Sequence, residues 1–231
     1  MLTIRRGGER GTTNIGWLES YHTFSFGDYF DPDHHHYRSL RVINDDYVAG
    51  GGGFPMHPHR DMEILTYVMS GKLEHRDSMG NGTVIGPGEW QKMTAGTGIR
   101  HSEFNPSDTE AVHLLQIWIV PDRKNRTPEY DQKLFPDAEK RGRWRTIASP
   151  DGRDGSITVY QDVTLSAAVL AQGDTLAYPL AAGRGAWLHV AKGTVTVNGQ
   201  TLHEGDAASV EGETPTVTGQ GESEVLVFDL A

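Results

Sequence analysis

Residues 53–68 read Gly53-Phe54-Pro55-Met56-His57-Pro58-His59-Arg60-Asp61-Met62-Glu63-Ile64-Leu65-Thr66-Tyr67-Val68. The second half of this stretch is a β-branched and aromatic run of strand length. In the first half His57 and His59 stand two apart. On an extended chain both imidazoles then project to one face and can grip a single metal ion. Pro58 between them lacks a backbone donor and marks an edge or bulged strand. The run from Gly50 to Gly53 lets the chain turn sharply into the segment, as at the mouth of a barrel.

The same strand signature recurs on both sides. Leu40-Arg41-Val42-Ile43 precedes it, and Val112 to Val120 follows as Val-His-Leu-Leu-Gln-Ile-Trp-Ile-Val. Turn clusters separate the runs, among them Gly86-Pro87-Gly88 and the hairpin dipeptide Asn81-Gly82. With 28 Gly and 11 Pro and no helical period longer than two turns, the chain reads as all-β. Residues 121–145 are charged and proline-punctuated. They hold eight of the 21 Lys and Arg, interleaved with Asp122, Glu129, Asp131, Asp137 and Glu139. This pattern predicts a solvated linker with a helical turn near Asp137 to Arg141, not a basic binding patch. Strands resume from about residue 150.

A weak internal repeat connects the halves. A strand ending at Met69 is followed by Gly71, a hairpin and Gly88-Glu89; a strand ending at Val190 is followed by Gly193, a hairpin and Gly205-Asp206. Two small barrels of similar build, over 1–135 and 136–231, are the economical reading.

A second pair of potential ligands lies in Gly96-Thr97-Gly98-Ile99-Arg100-His101-Ser102-Glu103. His101 and Glu103 again share a face, far enough along to return on another strand. His57, His59, His101 and Glu103 supply three imidazoles and one carboxylate. That set suits a divalent first-row metal such as Fe(II), Mn, Ni, Cu or Zn. Without sulfur, a structural zinc site is disfavoured. Glu63, four residues after His59, also falls on the ligand face of an unbroken strand, and spacing alone does not choose between it and Glu103.

Composition removes several function classes. There is no cysteine, hence no disulfide, thiolate ligand or Cys nucleophile, and the formal net charge is −10. An acidic surface disfavours direct nucleic-acid binding. No apolar run approaches the roughly 20 residues of a membrane span and the N-terminus has no secretory pattern, so a cytoplasmic protein, outside any membrane, is expected. The triple His34-His35-His36, beside Asp31-Pro32-Asp33, is expected in an exposed loop.

Residues 53–68 resemble the first motif of the cupin superfamily and, more narrowly, of the pirin family. Ala95 to Glu103 resembles the second motif. His75 to Gly80, Leu114 to Trp118, and Gly16-Trp17-Leu18 with His22 to Phe26 match pirin segments as well. The resemblance covers about residues 1–120, is looser beyond, and is nearest to bacterial pirin-like quercetin 2,3-dioxygenases. It implies a bicupin, two double-stranded β-helix (jelly-roll) barrels in one chain. It also implies that His57, His59, His101 and Glu103 are the metal ligands, which leaves Glu63 a supporting role. The implied activity is metal-dependent 2,3-dioxygenation of a flavonol such as quercetin, consuming O2 and releasing CO, with Glu103 doubling as a base. The family implies an alternative, a metal-binding regulator acting through protein partners without turnover.

Gln116 is a candidate for orienting the ligands, and Phe54 and Met56 for lining an apolar pocket. Counting from the repeated glycines, the C-terminal counterparts of the ligands are Pro179, Ala181, Thr218 and Gln220. His189 and His203 are isolated, so the second barrel is expected to be a metal-free scaffold and the chain a monomer.

Overall fold

Twenty-two strands make up nearly all the regular structure of the computed structural model, which describes residues 1–231. The one α-helix is the single turn Asp137–Lys140, where a helical turn was expected. No helix is long and apolar enough to cross a membrane. The chain forms two compact units, Gly11–Leu134 and Met1–Arg10 with Phe135–Ala231. The first ten residues, expected in the N-terminal barrel, thus group with the C-terminal one. The cause is β1 (Leu2–Arg5), whose register runs Leu2↔Val210 to Arg5↔Ala207.

The N-terminal unit holds β2 (Gly11–Asn14), β3 (Leu18–His22), β4 (Leu40–Val48), β5 (Gly53–His59), β6 (Glu63–Ser70), β7 (Leu73–Asp77), β8 (Gly82–Ile85), β9 (Glu89–Thr94), β10 (Ile99–Phe104), β11 (Val112–Ile119) and β12 (Glu129–Leu134). A large sheet runs β12-β9-β6-β11-β4-β3-β2 and a small one β5-β10-β7-β8. The other unit adds β13 (Arg145–Ser149), β14 (Ile157–Thr158), β15 (Val163–Leu170), β16 (Thr175–Ala177), β17 (Gly185–Lys192), β18 (Thr194–Val197), β19 (Gln200–His203), β20 (Ala207–Glu211), β21 (Thr216–Gly219) and β22 (Ser223–Leu230). Its sheets run β1-β20-β17-β22-β15-β13-β14 and β16-β21-β18-β19. Adding eleven to the labels β4 to β11 converts the strand order of one unit into that of the other. The repeat is therefore structural, and the architecture is the all-β bicupin that the resemblance implied.

The repeated glycines mark equivalent corners. Gly71 and Gly193 have φ of 76° and 78°. A Cβ would lie 2.6 Å from the Ala111 carbonyl oxygen at one and 2.4 Å from that of Glu222 at the other. Only glycine satisfies both the left-handed backbone and the close approach. The hairpins differ more. Asn198 and Gly199, both at positive φ, make a tight two-residue turn, whereas residues 78–81 form a longer loop clasped by the Asp77 carboxylate through the Met79 and Asn81 amides.

Glu129–Leu134, expected within a solvated linker, is instead an edge strand, pairing with β9 from Glu129↔Thr94 to Leu134↔Glu89. Its alternation is masked by charge: Tyr130 and Gln132 both bond to β9 side chains, between the charged Glu129, Asp131 and Lys133.

Inward rows of the N-terminal barrel run apolar–polar–apolar. On β6 they are Ile64, Thr66 and Val68; on β11, Leu114, Gln116 and Trp118. The apolar ends join two separate clusters, Leu18, Val48, Val68, Leu73, Ile85, Val112 and Leu114 at one end, and Ile64, Met93, Ala95 and Ile99, with Trp118 against them, at the other. Between them lies a polar layer. The same register in the C-terminal barrel is apolar: Thr66 pairs with Gln116 and Gln91, while Leu188 pairs with Val227 and Ala208. There one continuous core fills the barrel.

Candidate metal centre

The centre sits on the small sheet. β10 lies between β5 and β7, and its register sets His101 opposite His57 and Ile99 opposite His59. β5 is an edge strand, which accommodates Pro55 and Pro58. Its pairing slips between His101 and Glu103, so that Glu103 faces Phe54. This bulge turns Phe54 inward beside His57 and leaves Met56 outside, 45% exposed. Met56 therefore does not line the pocket as expected, whereas Phe54 does.

The three imidazoles converge. Ring centroids are 4.7 Å apart for His57 and His59, 4.4 Å for His57 and His101, and 4.9 Å for His59 and His101. Each offers a nitrogen within 4.8 Å of the others. His57 Nδ1 donates to the Pro55 carbonyl at 2.8 Å, which leaves Nε2 as the free lone pair. His101 is 1% exposed, yet neither ring nitrogen has a hydrogen-bond partner. Burying such a group unpaired is costly, and a metal ion on one nitrogen removes part of that cost. Burial, reinforced by the neighbouring imidazoles, pushes His59 down to about 4 and His101 to about 3. Both rings are thus neutral at physiological pH, the form that ligates metal. The donor chemistry fits a divalent first-row ion.

Glu103 is reached from the other side. Its Oε1 accepts from Gln91 Nε2 at 2.5 Å and Thr66 Oγ1 at 3.3 Å, and its Oε2 from Gln116 Nε2 at 3.0 Å. The Tyr130 hydroxyl donates to Gln91 Oε1 at 3.1 Å. Gln116 therefore orients the carboxylate, not an imidazole. Glu103 forms an overlapping trio with His101 and His75, all buried. The structure brings His57, His59 and His101 together directly and links Glu103 to them through the shared His101.

Glu63 lies elsewhere. Asp61 at φ 49° breaks the strand after His59, and the chain crosses from the small sheet to the large one. The Glu63 side chain accepts from Thr94 Oγ1 at 3.0 Å and sits 3.7 Å from Lys92 Nζ. It is a structural buried ion pair.

Spacing did not reveal His75, Gln91, Thr66 and Tyr130. The available signal was a polar residue at an inward position of an apolar row. In the C-terminal unit Thr175 pairs with Thr218, their hydroxyls 2.9 Å apart. The count from the glycines gave Pro179 for His57; the register gives Thr175, because β16 ends at Ala177. Neither is a ligand, and both clusters of three candidate ligands belong to the N-terminal unit. His203 bonds Thr194. His34 pairs with Asp31 at 2.8 Å, His35 and His36 are exposed, and none of the three joins the centre.

A cavity of about 270 Å³ opens over His57, His59 and Glu103. Leu18, Phe26, Phe54 and Trp118 form an apolar wall, and Ser20, His22, Asn44 and Asp46 a polar one.

Fold and histidine cluster together define a metal-binding bicupin. The Pirin family model matches residues 4–119, and the model for the quercetinase C-terminal cupin domain matches 146–230. The chain is 47% identical to quercetin 2,3-dioxygenase of Escherichia coli K12, covering 100% of this chain and 99% of the relative. The crystal structure of bacterial pirin YhhW from Escherichia coli in complex with nickel(II) superposes with a TM-score of 0.95, at 47% identity over 100% of this chain and 99% of that one. YhaK from Escherichia coli is more distant, with 29% identity and a TM-score of 0.75 over 95% and 97% of the two chains. This chain belongs to the pirin family.

Proposed function

We propose that this protein is a metal-dependent dioxygenase that cleaves flavonols such as quercetin with O2, releasing CO. The observation that carries the reading is a buried, unpartnered His101 packed against His57 and His59, which themselves line a cavity with aromatic side chains. Full-length identity to a relative named quercetin 2,3-dioxygenase supports the substrate class.

The proposed ligands are His57, His59, His101 and Glu103, and the proposed ion is Fe(II). Bound there, a divalent ion supplies Lewis acidity toward a substrate hydroxyl. The chain's own groups do the rest. Phe54 and Trp118 hold a flat ring over the histidines, and the apolar wall excludes water. Glu103, fixed by Gln91 and Gln116, takes the proton of the flavonol 3-hydroxyl at a carboxylate oxygen. The reading takes the protein as a cytoplasmic monomer with no nucleic-acid or membrane partner, in keeping with a net charge of −10.

The test is protein reloaded with Fe(II), mixed with quercetin in air. Loss of the flavonol absorbance with stoichiometric CO is expected. Failure with Fe, Mn, Ni, Co and Cu in turn, together with a captured protein partner, would favour a regulator.

A further inference from the structure

The polar wall of the cavity is explained neither by the histidines nor by the fold. Its residues come from three adjacent strands in direct register: Thr13 on β2 faces Ser20 on β3, Ser20 faces Asp46 on β4, and His22 faces Asn44. Ser20, His22 and Asn44 are each 2% exposed and Asp46 is 3%. Polar groups buried to this degree cost stability unless they are paired. The fold does not demand them. Asp46 pairs with Leu114 as Ala168 pairs with Val225, so the second barrel builds the same position from alanine.

The network is rigid and leaves one acceptor over. His22 is held at both nitrogens, Nε2 by Thr13 Oγ1 and Nδ1 by Asn44 Oδ1, each at 2.8 Å. Ser20 Oγ donates to Asp46 Oδ1. Asp46 Oδ2 has no partner, although the residue lines the cavity. The rings of Phe26, Phe54 and Trp118 line the same cavity, Phe26 packing against both His22 and Trp118. A flat apolar body edged with a hydrogen-bond donor is the shape and chemistry that such a lining accepts.

We propose that Asp46 Oδ2 accepts a hydrogen bond from a substrate hydroxyl other than the 3-hydroxyl, which makes Asp46, locked in place by Ser20, the residue that selects flavonols with further ring hydroxyls over those with the 3-hydroxyl alone. The inference rests on the flavonol reading above and deepens it. Burial raises Asp46 to about 7, with Asp45 and Glu103 adding to the rise and the Ser20 bond opposing it. A carboxyl group so near neutrality suits a neutral hydroxyl better than a cationic donor.

The test is calorimetric binding under argon to the metal-loaded protein, with quercetin and with 3-hydroxyflavone, which keeps the 3-hydroxyl and lacks the hydroxyls on the two outer rings. Wild type is expected to prefer quercetin by about tenfold, the upper end of what one neutral hydrogen bond contributes. In Asp46→Leu the ratio should fall to within about twofold, with affinity for 3-hydroxyflavone retained. Should the leucine variant not fold, Asp46→Asn keeps the volume and the Ser20 bond, and its ratio should drop at least about threefold. A ratio unchanged in the folded variant, or an equal loss for both compounds, overturns the inference while the flavonol reading stands. Wild type binding neither compound overturns both.

Discussion

Glu63→Ala is expected to destabilise the N-terminal barrel while leaving its metal content intact. Glu63 and Lys92 are 0% and 2% exposed, with Nζ 3.7 Å from the carboxylate. Removing one member of a buried pair strands the other charge and costs about 3–5 kcal/mol. Glu129, 43% exposed, remains 3.4 Å from the same ammonium, which places the cost at the low end, about 3 kcal/mol. Thr94 Oγ1 also loses its acceptor. For a chain of this size about 3 kcal/mol lowers the melting temperature by roughly 6–12 °C. Glu63→Gln keeps an acceptor for Thr94 but leaves Lys92 with Glu129 as its one carboxylate, so its melting temperature should fall between those of wild type and Glu63→Ala. The assay is metal stoichiometry by plasma emission on reloaded protein, beside thermal melts followed by circular dichroism. Loss of the metal from Glu63→Ala with an unchanged melting temperature, while Glu103→Ala keeps its metal, would refute the division of roles between the two carboxylates.

Gln116→Leu removes one donor from Glu103 Oε2 and should weaken metal affinity about 10–100-fold; unchanged affinity in a competition titration with a chelator would dissociate Glu103 from the metal. In metal-free protein His59 and His101 titrate at about 4 and about 3, below the roughly 6.5 of an unfolded histidine. The unfolded chain then binds more protons between those values, so the histidine contribution to stability is lost as pH falls from about 6.5 toward 3. Imidazole proton NMR should locate both midpoints below 5, and a midpoint near 6.5 for either ring would count against the burial argument. Gly71→Ala meets the Ala111 carbonyl at 2.6 Å on a backbone at φ 76° and should cost at least about 2 kcal/mol. Gly80→Ala, at φ 96° but with open space around it, should cost about 1–2 kcal/mol, and equal denaturation midpoints for the two variants would contradict this.

The histidine pairs were legible because each is a local pattern: a two-residue spacing on an extended segment, introduced by glycines. The barrels were legible from strand periods and paired glycine corners. What escaped was what depends on partners distant in sequence. Gln116 stands out in the sequence, but its partners Gln91 and Thr66 lie on two other strands and meet it only through register. Asp46 and His22 read as ordinary polar residues until the β3–β4 pairing sets them on one wall. β12 was hidden because its alternation is written in Tyr130 and Gln132 between charges. The spacing that put Glu63 on the ligand face assumed an unbroken strand, and the left-handed residue Asp61 interrupts it.

The register that aligns the barrels also works as a design template. The polar layer Gln91–Thr66–Gln116 has its apolar image in Ala208–Leu188–Val227, and the His57–His101 pair has its image in Thr175–Thr218. The second barrel is thus a blank socket with the same strand order, and its five image positions say where a transplanted centre would be carved. Nature has kept, within one polypeptide, a histidine cluster and its uncut casting.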